Sequence, residues 1–427
     1  MAASGPYLFV SGRWDNVITV VDVPAALGHG SRGTSAAIVS RVRVTPDIDA
    51  GGSGKAQASG QPVNVVIATD RRLAYVVNHS GRATPAATAA FQHGHPGLIA
   101  VLDVAKALDP SNAGTTRAVE DFIETGTAGP VGIAFTPDQR HLVVSSAEAE
   151  GHEDGGRQIT LIDTGSRRVS RQIVQSLADG ALDTPPHPSP HAAPHETFGA
   201  FPNANGVAVS PLDGGYIVAG NGGTDDVSVI SLARALGGDP DAEIVRVPVQ
   251  TGPFGVAVSP DGRYAAVANR ESARTGIEGN TISLIDITRA AAGDRRAEAA
   301  RIRVGTDRED EGTRPFAVAF TPDGTKVVTT CFRSNTVSVV DVARALAGAP
   351  AEERRVPFTA PDGGPGRPRG LVVLPDGAHA AIIGGAKGAP GSSVVWIVDV
   401  ATLTPRSCVT GVGNESYLLD VLPGAQG

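Results

Sequence analysis

One phrase, recurring along the 427 residues, limits what this chain can fold into. It is an apolar run, a Ser/Thr-Pro-Asp-Gly turn, and a second apolar run. Full copies read PVGIAFTPDQRHLVVSS from Pro130, NGVAVSPLDGGYIVAGN from Asn205, PFGVAVSPDGRYAAVAN from Pro253 and PFAVAFTPDGTKVVTTC from Pro315. Looser copies begin at Asn64 and Arg369. Each predicts strand, tight turn, strand, because proline suits the start of the turn and Asp-Gly supplies its backbone. A second phrase follows seven times, alternating apolar and small residues: VITVVDV, LIAVLDV, ITLIDT, VSVISL, ISLIDI, VSVVDV and VVWIVDV. It ends in Asp22, Asp103, Asp163, Asp286, Asp341 and Asp399, with Ser231 in the remaining copy. A fourth strand trails each unit, as in EIVRVPV near Val245.

Four short antiparallel strands repeated seven times predict an all-β chain, a seven-bladed β-propeller. The chain opens on a second strand, YLFVSG, and closes on SYLLDVL from Ser416, which reads as a first strand. The C-terminal strand is therefore expected to complete the N-terminal blade, removing an open edge. The expected domain is single, residues 1–427. Its blades are 6–45 plus 415–422, 62–125, 129–175, 204–250, 253–304, 315–359 and 367–411. At about 61 residues per blade, against ~40–50 in compact repeats, the surplus is assigned to loops.

Composition agrees and narrows function. The 53 glycines and 31 prolines suit many turns and little long helix. A net charge of −8 argues against nucleic acid or an anionic membrane as partner. Two cysteines, Cys331 and Cys408, exclude a disulfide scaffold and a Cys-rich zinc site. MAASGPYLFVSGRW has no basic and apolar leader pattern, and no run approaches ~18 apolar residues, so a cytoplasmic monomer is expected. GGSGKA at Gly51 lacks the Ser/Thr of a phosphate loop, so no nucleotide cofactor is expected. No G-x-S-x-G elbow occurs.

PFGVAVSPDGRYAAVAN…NTISLIDI resembles the YVTN-type propeller repeat, shared by surface-layer-like, cytochrome d1-like, lactonase-like and nitrous oxide reductase-like propellers. The resemblance spans the whole chain. It implies that the lead into strand one and the link from strand two to three share a top face around a central channel. It speaks to fold more than function, since one fold hosts many activities. The bottom links VPAAL, VAKAL, LARAL, ITRAAA and VARAL read as single helical turns capped by the repeated Asp.

The top links are long, unlike one another, and rich in histidine: His79, His93, His95, His152, His187, His191 and His195. With no spare thiolate, copper or zinc held by His79, His93, His95 and His195 is one expectation. Glu148, Glu150, Glu153, Asp154 and Glu196 are possible oxygen donors there. A solvated Pro/Ala/His loop is the plain alternative for 176–203. Ends of second strands give Arg13, Arg270 and Phe332, with Glu271 and Arg333 one residue on. First strands add Asn64, Asn205, Phe254, Phe316, Arg369 and Tyr417. The arginines favour an anionic small-molecule substrate through fork-like hydrogen bonds, and Glu271 is the candidate proton carrier. Three readings follow. The first is a His-metal enzyme, whether oxidoreductase, lyase or hydrolase. The second is a lactonase-like hydrolase without a transition metal. The third is a protein-binding scaffold without chemistry.

Overall fold

The computed structural model describes residues 5–30, 33–49, 55–84, 96–147, 156–176, 202–212, 214–272, 275–386, 388 and 390–423. Seven four-stranded antiparallel sheets follow one another along the chain, and the fold is an all-β, seven-bladed propeller. The chain divides into two compact units, Met1–Glu124 with Val356–Gly427, and Thr125–Arg355.

The first unit holds blades 1, 2 and 7. Blade 1 is built from Tyr7–Gly12, Val17–Asp22 and Ile38–Arg43, and its first strand is Ser416–Leu422 from the other end of the chain. That strand pairs antiparallel with Tyr7–Gly12, from Tyr7 opposite Leu422 to Gly12 opposite Ser416. Ser11 Oγ donates to the Leu418 carbonyl at 2.8 Å. Closure by the C-terminal strand thus follows the reading of SYLLDVL. Phe9, Ile18, Val20 and Val42 of blade 1 pack on Val65, Val76, Ala100 and Leu102 of blade 2, all essentially buried. Leu8, Val10 and Val21 pack on Ala381, Ile383, Val395 and Ile397 of blade 7. A strand's alternation thus feeds two cores, one on each face.

The second unit holds blades 3 to 6, with first strands Pro130–Phe135, Ala204–Ser210, Pro253–Val258 and Pro315–Phe320. Its cores are likewise interblade and aliphatic. Close approach is built in by glycine: a Cβ at Gly255 would lie 2.6 Å from the Phe316 carbonyl oxygen.

The repeated aspartates are caps. Asp22, Asp103, Asp286 and Asp341 accept from the backbone N–H three residues on, at 2.8 to 3.1 Å, and Ser231 does the same at 3.3 Å. Each starts a short helix, such as Leu232–Leu236 or Val342–Leu346. Asp163 and Asp399 cap turns through Ser166 N and Thr402 N. Among the described residues, no helix is long and apolar enough to cross a membrane.

Candidate functional site

In the second unit, the sequence-selected residues of blades 5 and 6 come together. Arg270 and Glu271 end the strand Tyr264–Glu271. Its register with Glu278–Asp286 shifts by one residue there: Asn269 faces Thr281 and Glu271 faces Glu278, so Arg270 lies opposite a bulge formed by Gly279 and Asn280 of the partner strand. Beside this irregularity Arg270 lies over two aromatic rings. The guanidinium carbon is 5.0 Å from the Phe254 ring centre and 5.1 Å from that of Phe316. The two rings are 4.5 Å apart and buried, and Phe332 lies 6.4 Å beyond Phe316. Such stacking contributes about 0.5–2 kcal/mol and fixes the plane of the fork. Arg270 Nε is buried, with no hydrogen-bond partner among the described residues.

The backbone behind these side chains is pinned. Gly252 O accepts from Arg270 N at 3.0 Å and Glu271 N at 3.4 Å. A Cβ at Gly252 would sit 1.7 Å from the Glu271 carbonyl oxygen, and its φ is +40°, so only glycine fits. Asp225 accepts from Gly252 N at 2.7 Å and from Ser272 Oγ at 3.1 Å, clamping both ends of the dipeptide.

Glu271 points to the other side. Its Oε1 is 2.7 Å from Arg314 Nη2, and that same nitrogen is 2.9 Å from Glu278 Oε1. Arg333 is mostly exposed, its Nε 3.8 Å from Glu278 Oε2. Asn205, on blade 4, donates to the Pro253 carbonyl at 3.4 Å. The strand end thus carries a guanidinium held over two rings and, one residue on, a carboxylate paired with Arg314.

In the first unit, Arg13, Arg369 and Tyr417 form a second group. Arg13 Nε donates to Gln61 Oε1 at 3.0 Å, and its guanidinium lies 5.4 Å from the Trp14 ring and 5.5 Å from that of Tyr417. Glu415 accepts from Trp14 Nε1 at 2.6 Å and stands 4.0 Å from Arg13. Arg369 is 1% exposed, and its Nη2 contacts the Gly384 carbonyl at 3.5 Å. Burial lowers it to about 10, with Glu415 and Tyr417 opposing that shift. It stays charged at neutral pH but is shielded from solvent. Asn64 is turned onto its own strand, accepting from Val65 N at 2.9 Å.

His79 is buried at the end of Leu73–Asn78, where its N–H donates to the Gln61 carbonyl at 3.1 Å. His93, His95 and His195 lie outside the described residues, as do His152, His187, His191 and the acidic residues proposed beside them. Among the described residues, no group of three or more His, Cys, Asp or Glu side chains converges as a metal site. Cys331 is packed in the blade 5–6 core, and burial pushes its thiol up to about 12.

Sequence reading missed Arg314, Glu278, Gln61 and Glu415. Three of these share a signal. The residue just before the first strand is left-handed in six blades, Gln61, Gly129, Asn203, Gly252, Arg314 and Glu415, and in blade 7 Arg367, a few residues before Leu371–Val373, is the counterpart, all with φ between 40° and 60°. Glycine in two copies of the repeat marks that position in the sequence.

Two surface hollows, of about 500 and 550 Å³, lie along the outer strands of blades 4 and 5. Each sits where an outer strand meets the turn after the next blade's short helix, so the repeat itself generates them.

No family model matches the chain, and no curated protein matches it by sequence. Solved structures do resemble it. A periplasmic gluconolactonase from Pseudomonas aeruginosa superposes with a TM-score of 0.63 at 14% identity, over 98% of this chain and 99% of that one. A Bacteroides uniformis protein assigned as a 6-phosphogluconolactonase gives 0.60 at 13%, over 98% and 99%. Hydrazine synthase from Kuenenia stuttgartiensis gives 0.54 at 16%, over 96% and 90%. At these identities the likeness establishes a fold shared with lactonase-like propellers.

Proposed function

We propose that this chain is a lactonase-like hydrolase that opens a small anionic lactone at the blade 5–6 site. The observation that carries the reading is Arg270: a guanidinium over Phe254 and Phe316, with a buried Nε that no described residue satisfies, one residue before Glu271 on the same strand. A buried donor without a partner costs about 1–3 kcal/mol, which an anionic ligand would recover. In the proposed reaction, water attacks the lactone carbonyl and Glu271 takes its proton. The ring C–O bond then breaks, and Glu271 returns that proton to the departing oxygen to give a hydroxy acid. Membership of the YVTN-type group fits this reading and goes with it.

The experiment is turnover on a panel of lactones with and without an anionic substituent, scored against their spontaneous opening. Wild type is expected to prefer the anionic members. Glu271→Gln should lower kcat by ~10²-fold or more, the usual share of a general base. Arg270→Gln should raise KM for anionic lactones and leave neutral ones unchanged. Background rates across the panel, or full activity in the Glu271 variant, would overturn the proposal. The copper or zinc reading rests on His79, His93, His95 and His195. It predicts retained metal by mass spectrometry that a His79→Ala/His95→Ala variant loses.

A further inference from the structure

Arg314 occupies a backbone position that two other blades give to glycine. Its φ is +50°, a left-handed conformation that costs an L-residue about 1–2 kcal/mol. Gly129 and Gly252 meet the same requirement without that cost, so the fold itself does not need an arginine here. The side chain must answer to something else, and its contacts show what. One nitrogen, Nη2, holds both Glu271 and Glu278, at 2.7 and 2.9 Å. The two glutamates are direct cross-strand neighbours. Like charges in that relation repel. All three side chains are largely shielded, at 14%, 13% and 23% exposure, so the repulsion is only partly screened by water. The chain is drawn close as well: a Cβ on Gly312 would lie 2.4 Å from Glu278 Cβ.

We infer that Arg314 is a positioning residue: it fixes Glu271 in its site and allows Glu271 and Glu278 to stand side by side as carboxylates. The catalytic part of this inference rests on the reading of Glu271 as the base. Other charged groups around the pair are few. Arg333 reaches only Glu278, and Arg270 is turned away onto the phenylalanines. Asp225 is engaged by Gly252 N and Ser272 Oγ, and Glu311 by Thr306 Oγ1. Without Arg314, the two like charges stand side by side with nothing holding them, which favours the state in which one of them keeps its proton.

The test is a titration of glutamate side-chain carbons by ¹³C NMR on the full chain, with Glu271→Gln and Glu278→Gln supplying assignments. In Arg314→Gln the titration of the pair is expected to move up by about one pH unit or more relative to wild type. Arg314→Gln/Glu278→Gln should bring Glu271 back, because the like charge is gone. Arg314→Lys should restore much of the effect. Arg314→Gly guards against misfolding, since it relieves the left-handed strain, and it should titrate as the Gln variant does. With an active lactone in hand, the acidic limb of the kcat/KM profile should move in parallel while KM holds. An unmoved titration in Arg314→Gln and Arg314→Gly overturns the inference, even if hydrolysis requires Glu271. A moved titration without lactone turnover upholds the positioning role and removes only the hydrolase reading.

Discussion

Asp420 is the single acid at its register position in the seven first strands. The matched residues, by pairing with the third residue of each second strand, are Val66, Ala134, Ala208, Ala257, Ala319 and Val372. Its carboxylate accepts from Ile67 N and Val421 N, both at 2.8 Å, which favours the charged form. Burial outweighs them and pushes the group up to about 6. The sign follows from linkage. An acid raised above its unfolded value binds its proton more tightly when folded, so its contribution is complete below about pH 4. It is then lost as pH rises through about 6. Asp420→Asn, which keeps an acceptor and has no charge to bury, should melt higher than wild type at pH 8. Near pH 3.5 the two should melt together, within error of calorimetry. An equal offset at both pH values would mean the effect is not ionisation. Sequence reading passed over this residue, because SYLLDVL shows a strand and not which backbone groups its side chain meets. It did select Arg270, Glu271, Phe254 and Phe316, because the repeat aligns them. Arg314 and Glu278 escaped, since their meeting depends on a left-handed residue and a hairpin register.

The repeated phrase is legible as structure at the level of the turn. In blade 5, Ser259 Oγ donates to Asp261 at 2.5 Å and accepts from Tyr264 N at 2.9 Å, while Asp261 takes Arg263 N at 3.0 Å. Thr321 and Asp323 repeat the pattern in blade 6, and Thr136 and Asp138 in blade 3. These contacts hold the Asp carboxylates below their usual range. The caps behave alike. Asp341 receives Arg344 N at 2.8 Å and Lys326 Nζ at 2.6 Å, which lowers its carboxyl. Asp341→Ala is expected to cost about 1–2 kcal/mol in urea unfolding, the usual loss for a helix cap. Asp341→Asn, which still caps, should lose less. If both fall equally, the Lys326 pair outweighs the cap. A second network was not visible in the sequence. Asn221 donates to Ser228 at 2.8 Å, and Ser228 to Glu243 at 2.5 Å. Asn269, Ser283 and Glu298 do the same one blade later. The polar ends of these strands are internal wiring of the blades, which is why buried Asn and Ser recur without marking a site.

At the scale of the molecule, seven blades could be counted from the repeat, and closure by the last strand could be read from the two ends. Deleting residues from 416 onward would strip Tyr7–Gly12 of one of its two partner strands and expose an unpaired edge beside the core residues Phe9 and Val10. The truncated chain is expected to lose its cooperative melt and to scatter light at concentrations where the full chain does not. A truncation that melts like the parent would show that blade 1 is stable with three strands. The long histidine-bearing loops were legible only as surplus length, because the repeat says nothing about residues outside it. The left-handed residue before each first strand has a consequence for engineering. Glutamine, asparagine, arginine and glutamate already occupy that slot in different blades over one strand register, so the scaffold reads its backbone angle and not its chemistry. A library at Asn203 and Arg367, limited to residues that accept a left-handed backbone, would therefore vary side chains with less loss of folded clones than one at the buried Gln61 and Glu415 or at the glutamate-holding Arg314. Gly252, with the Glu271 carbonyl against it, belongs outside the design.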